Sequence, residues 1–220
     1  MLKKNVIIFF WLFLLVDILL IVFNKEACRI ISKPFIVLSL LVWYHQNDST
    51  SKVKTLITLA LIFGWLGDLF LMKSDSLFFM LGLVSFLMAH IILTIQFLKI
   101  KPISIPSFKS LILSFIIIGI FSFLLIQFLW PHLNELKIPV IIYCLVITSM
   151  ASTAIHTYQH NKDLAIRNYI PGALFFVVSD ALLAFNKFYY KEQWMGVFIM
   201  LTYALAFYFL VKGFKQQENY

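Results

Sequence analysis

Apolar runs alternate with short polar connectors eight times along the chain, and the runs are too long and too uniformly greasy for surface helices of a soluble domain. A helix that crosses a membrane takes about 20 predominantly apolar residues. By that measure the pattern predicts eight spans, over Asn5–Phe23, Ile30–Tyr44, Val53–Met72, Leu77–Leu98, Phe108–Leu129, Ile138–Tyr158, Asn168–Asn186 and Trp194–Val211, of which the second is the shortest. The expected fold class is all-α, a polytopic membrane protein with eight transmembrane helices. No connector is long enough for a separate soluble unit, so residues 1–220 are expected to form a single integral membrane domain.

Composition agrees: 62% of the 220 residues are hydrophobic, 13% are charged, and the mean hydropathy is +0.94. The first run follows Lys3-Lys4 as a signal peptide would. It contains Asp17, however, and no small-x-small cleavage site precedes Asn24-Lys25-Glu26, so a retained span is expected. The formal charge of +8 comes from 18 Lys and Arg scattered singly or in pairs, which is no footprint for nucleic acid. Topology and lipid headgroups account for them better. Eleven fall on the side that an even span count gives to both termini and seven on the other, which places the termini in the cytoplasm of a cell (inner) membrane protein. Cys28 and Cys144 match no metal spacing, and neither a disulfide nor a cysteine-held metal is expected.

Two acids interrupt the apolar runs, Asp68 near the end of the third and Asp180 within the seventh. A carboxylate in hydrocarbon costs at least about 2.5 kcal/mol, so a chain that keeps two of them is expected to use them. Asp68 precedes Lys73 by five residues and Asp180 precedes Lys187 by seven, which puts them ~7 and ~10 Å inside the same boundary. The two helices run in the same direction, so the acids are expected to face each other at one level. Ala60, Gly64 and Gly67 share the face of Asp68, and Gly172, Ser179 and Asn186 recur beside Asp180. His90, with Thr94 one turn on, is expected nearer the cytoplasmic end in a supporting role. A stripe of Ser149, Ser152, Thr153 and His156 suggests interhelical hydrogen bonds, and Asp17 is expected to pair with a lysine such as Lys33. Trp43-Tyr44 and Phe188-Tyr189-Tyr190 read as interface anchors. An echo between Gly67-Asp68-Leu69-Phe70-Leu71 and Ser179-Asp180-Ala181-Leu182-Leu183, and between Lys33-Pro34 and Lys137-Ile138-Pro139 as openings of the second and sixth helices, suggests two four-helix pseudo-repeats.

The chain has no Gly-x-Ser-x-Gly elbow, no His-Glu-x-x-His and no phosphate-cradling glycine loop. Its other motifs, Lys33-Pro34, Gly67-Asp68-x-x-Leu71, Phe86-x-x-Ala89-His90 and above all Gly172-Ala173-x-x-Phe176-x-x-Ser179-Asp180-x-x-Leu183-Ala184-x-Asn186, resemble the YhhN-like lysoplasmalogenase family of eight-helix membrane enzymes. Two positions depart from it: Lys187 stands where the family usually has Arg, and Phe207 lies near a frequent Gln. The first keeps the charge but loses a bidentate fork.

The resemblance implies hydrolysis of the vinyl ether bond of lysoplasmalogens to a fatty aldehyde and a glycerophospho-ethanolamine or glycerophospho-choline, with Asp68 and Asp180 as the acidic pair and no metal or organic cofactor. Vinyl ether cleavage begins with protonation of the alkene, and the oxocarbenium ion formed is captured by water. Glycosidases handle such a cation with two carboxyl groups, and two buried carboxyls close together can hold one proton between them. On this reading His90, Ser179 and Asn186 support the water or substrate, and Lys33 or Lys187 meets the lipid phosphate. A proton- or ion-coupled transporter using the same acids is the alternative, and a lipid-binding subunit whose acids only hold helices together is a third class. Transporter sites commonly use helices broken at mid-membrane, whereas Pro34, Pro139 and Pro171 are expected near helix ends.

Overall fold

The computed structural model describes residues 6–46, 52–73 and 75–218, with side chains for all of these but 52 and 105–107. Eight long helices account for nearly all of them: α1 (Val6–Val22), α2 (Glu26–Tyr44), α3 (Lys52–Leu71), α4 (Ser76–Ile100), α5 (Ile105–Leu129), α6 (Lys137–His156), α7 (Ile170–Phe185) and α8 (Met195–Gln217). Seven, counting α7 with its flanks as Lys162–Tyr190, are long and apolar enough to cross a membrane, and α1 is a shorter apolar helix of 17 residues. The protein is thus an all-α, polytopic membrane protein. Helix is the only open-ended way to satisfy every backbone amide in hydrocarbon, so unbroken apolar runs fold this way.

Two local features differ from the pattern expected. First, α2 begins at Glu26, after a tight turn through Asn24 at φ 56°, a left-handed conformation that Asn tolerates. Pro34 therefore lies inside α2, where it leaves the Ile30 carbonyl without its helical donor, and Lys33-Pro34 does not open the helix. Second, α7 is flanked by π-helical turns, Ala165–Tyr169 ahead of Pro171 and Asn186–Tyr190 behind it. Pro171 thus follows a π turn in a continuous helical run rather than starting one.

Consecutive helices pack as hairpins, α1 on α2, α3 on α4, α5 on α6 and α7 on α8. Between hairpins the packing repeats: α2 lies on α3 as α6 lies on α7, and α8 lies on α2 as α4 lies on α6. The repetition fails in one place. Whereas α1 packs along α8, α5 makes no comparable contact with α4 and leans mainly on α6. Its outer face, with Ile116, Ile117, Ile120, Phe123 and Leu124, is exposed as a lipid-facing surface would be. The ends of α2 and α8 meet where the buried Tyr44 hydroxyl donates to Glu218 at 2.8 Å, so this tyrosine is a packed contact and not an interface anchor. We call that side of the bundle proximal and the side of the hairpin turns distal.

Candidate active site

Lys33 on α2, Asp68 on α3 and Tyr203 on α8 form one polar cluster. The Lys33 ammonium lies 3.3 Å from Asp68 Oδ1, and the Tyr203 hydroxyl donates to Oδ2 at 2.7 Å. Asp68 is 2% exposed and lies under these partners. Two glycines on α3 make room for the rings above it: a methyl at Gly67 would stand 2.7 Å from the Phe86 ring, and one at Gly64 would collide with Phe207. The small residues therefore admit aromatic rings rather than a neighbouring backbone. Phe207, at the position near the family's glutamine, packs edge-on to Phe176 and Tyr203 with centroids 4.8 and 5.0 Å away.

Asp180 on α7 heads a second cluster, with His90 from α4 and Tyr143 from α6. The Tyr143 hydroxyl donates to Asp180 Oδ2 at 2.5 Å, and His90 Nε2 lies 3.0 Å from both that oxygen and the Tyr143 hydroxyl. His90 Nδ1 is buried without a hydrogen-bond partner among the described residues, and Nε2 is the nitrogen that engages the carboxyl. Asp180 Oδ1 makes no hydrogen bond among the described residues, and the side chain, 12% exposed, lines an apolar slot of about 60 Å³. The slot lies between α4, α5, α6 and α7, where α5 stands off from α4, and it is walled by residues such as Phe86, Leu125, Ile147 and Val177. Through Ser122, Ile126 and Cys144 it adjoins a groove of about 540 Å³ on the α5–α6 face.

The two acids do not meet, and among the described residues no hydrogen bond joins them. Counted along the chain, Asp68 is three residues from the end of α3, whereas the π turn carries α7 to Tyr190, ten residues beyond Asp180. Asp180 therefore sits deeper, at the level of His90, which is one turn beyond the Phe86 that covers Gly67. That π turn also explains why His90 is level with an acid instead of nearer the proximal end. Phe176 stands between the clusters, 5.1 Å from the His90 ring and 6.0 Å from that of Tyr203.

The other expected residues have definite places. Asp17 is fully buried, but its partner is Arg29, through two bonds of 3.1 and 3.2 Å, with Ser32 donating at 2.8 Å. One turn of α2 separates Arg29 from Lys33, so the helix offers its two cations to two different acids. Ser179 donates to the Ile199 carbonyl and ties α7 to α8, and Asn186 accepts from the Glu192 amide in the α7–α8 turn. Lys187 lies over the Phe79 ring at 4.8 Å. Of the stripe, Ser149 and Thr153 bond carbonyls of their own helix and His156 bonds the Pro102 backbone in the turn after α4, while Ser122 and Thr148 bond between α5 and α6. Tyr143 and Tyr203 were the contributors that sequence reasoning passed over. Their signal was a phenol far inside an apolar run, whose hydroxyl needs a buried partner.

At the distal end a second, polar cavity of about 440 Å³ opens between α2, α3, α4 and α7. Arg29, Lys33, Lys73 and Lys187 line it together with Glu26, and it shares Leu71, Phe79 and Leu183 with the apolar slot. A cationic chamber thus abuts an apolar slot with a carboxyl on its wall. Among the described residues no group of three His, Cys, Asp or Glu could hold a metal ion.

Fold and site define a helical membrane protein with buried acids, one of them on the wall of an apolar slot that adjoins a cation-lined cavity. The YhhN family profile matches residues 28–214, and the chain belongs to that family. It is 28% identical over 138 residues to proteins named lysoplasmalogenase in Mycobacterium bovis and Mycobacterium tuberculosis, across 62% of this chain and 51% of theirs. It is 28% identical over 159 residues to the Bos taurus protein named lysoplasmalogenase TMEM86A, across 69% of this chain and 62% of that one. The chain spans about half the length of the mycobacterial relatives. No solved structure matches it.

Proposed function

We propose that the protein is a lysoplasmalogenase, a membrane hydrolase that cleaves the vinyl ether of a single-chain glycerophospholipid, and that Asp180 performs the proton transfers. The observation that carries this reading is the divided carboxyl of Asp180, with Oδ2 held by His90 and Tyr143 and Oδ1 turned to an apolar slot. The tail lies in the slot and the α5–α6 groove, and the phosphate sits among the distal cations. That places the ether between them.

Protonated Asp180 adds its proton to the alkene carbon distal to the ether oxygen, and the π pair forms the new C–H bond. The oxocarbenium ion left behind takes water at the carbon bonded to the ether oxygen, while Asp180 recovers a proton from that water. The resulting hemiacetal gives up its hydroxyl proton as the ether oxygen gains one, and the bond to that oxygen breaks to release the aldehyde and the glycerol hydroxyl. His90 and Tyr143 hold the carboxylate while it lacks its proton, and general acid–base help of this kind contributes about 10²- to 10⁴-fold. Asp68, tied to Lys33 and screened by Tyr203, supports the cation from behind that phenol instead of exchanging protons with Asp180. The test is aldehyde release from a lysoplasmalogen by the purified protein. Release abolished in Asp180→Asn supports the reading, and near wild-type turnover in that variant, or substrate transport into vesicles without product, overturns it.

A further inference from the structure

The distal cavity carries more information than a positive charge. Of its four cations, Arg29 is neutralised by Asp17 through two bonds and Lys33 by Asp68. Lys73 and Lys187 lie over the rings of Phe78 and Phe79 at 4.0 and 4.8 Å, contacts that leave their charge available. Neither has an acidic partner among the described residues. Glu26 stands on the same wall, exposed, and within the described residues it has no basic partner either. One cavity therefore holds two uncommitted ammonium groups and one uncommitted carboxylate that have not paired with each other.

An anion alone would satisfy the lysines and be repelled by Glu26. A zwitterion with its negative and positive groups a few bonds apart satisfies both. We propose that Glu26 is a specificity-determining residue that takes the headgroup amine of a zwitterionic lysolipid, while Lys73 and Lys187 take its phosphate. The chamber thus selects ethanolamine- or choline-type headgroups over a bare glycerophosphate. The assignment rests on the hydrolase reading for the position of the ether, but the headgroup contacts stand on the cavity itself. Glu26 also lies in the first turn of α2, where an acid suits the helix dipole. That structural role would affect all ligands alike, which gives the means to separate the two.

The experiment compares the full-length protein and Glu26→Gln in detergent, with 1-alkenyl-glycerophosphoethanolamine and 1-alkenyl-glycerophosphate as substrates. Binding of the corresponding non-hydrolysable 1-alkyl lipids is measured in parallel. For Glu26→Gln, KM and Kd for the ethanolamine lipid are expected to rise about three- to fivefold, as for an exposed ion pair, with kcat unchanged. For the glycerophosphate lipid both stay level or fall. Equal changes for both headgroups, or none for either, overturn the proposal. Absence of hydrolysis with the headgroup preference still visible in the alkyl-lipid binding would overturn the hydrolase reading and leave the Glu26 assignment standing. Lys187→Gln serves as the counterpart and is expected to weaken both lipids together.

Discussion

The Asp68 and Asp180 clusters occupy matching places in the two halves of the bundle and have been put to different ends. Lys33 and Tyr143 are 110 positions apart, Asp68 and Asp180 112, and His90 and Tyr203 113, so α2, α3 and α8 supply one cluster and α6, α7 and α4 the other. Each acid accepts from a phenol. In the first cluster the remaining partner is a lysine, which compensates a full charge, and aromatic rings seal the top. In the second it is a histidine, and because α5 stands off from α4 one carboxyl oxygen is left open to a slot. Two similarly packed halves thus yield one closed ion pair and one accessible acid, and the difference lies in a partner residue and in the packing of one helix.

The largest effect expected from breaking this contrast is on Asp180. Asp180→Asn should lower aldehyde release by about 10³-fold while thermal unfolding in detergent moves little, because the amide still fills the site. Asp68→Asn should lower aldehyde release less and stability far more. It strands the Lys33 ammonium, and removing one partner of a buried pair costs about 3–5 kcal/mol, read as a large fall in Tm. Asp68→Leu combined with Lys33→Met should restore most of that stability. If the double variant stays as unstable as the single one, the closed pair is not what we describe.

The two phenols sharpen the comparison at a smaller scale. Tyr143→Phe should cost about tenfold in kcat with a modest change in Tm, and Tyr203→Phe about 1–2 kcal/mol of stability with a smaller kinetic effect. Identical profiles for the two would make the halves equivalent. The smallest effect is expected at the slot wall. In a Cys28→Ser background, alkylating Cys144 with a bulky maleimide should raise KM several-fold by obstructing the tail. Kinetics unchanged after complete labelling, verified by mass spectrometry, would move the tail elsewhere.

Much of this was legible in the residues. Helix number and approximate bounds follow from apolar run length, because hydrocarbon forces each run to satisfy its own backbone. Asp68, His90 and Asp180 announce themselves because polar groups in such runs are costly. Less legible was Lys33, whose place beside Asp68 and not Asp17 depends on α2 starting at Glu26 and presenting Arg29 one turn earlier. The π turn at Asn186–Tyr190 changes the depth of Asp180, and no periodicity in the apolar run reveals it.

The sequence by itself determined that this is a bundle of membrane-crossing helices carrying buried acids, since both facts depend on the cost of moving single residues out of water. Which acid is sealed and which faces a cavity was decided only by tertiary structure. Between helices in lipid there is no hydrophobic gradient to orient one face against another, so rotation, depth and neighbour choice are set by side-chain packing and polar pairing across the bundle. Those contacts join residues more than a hundred positions apart, such as Asp68 and Tyr203, and they exist only once the helices have met.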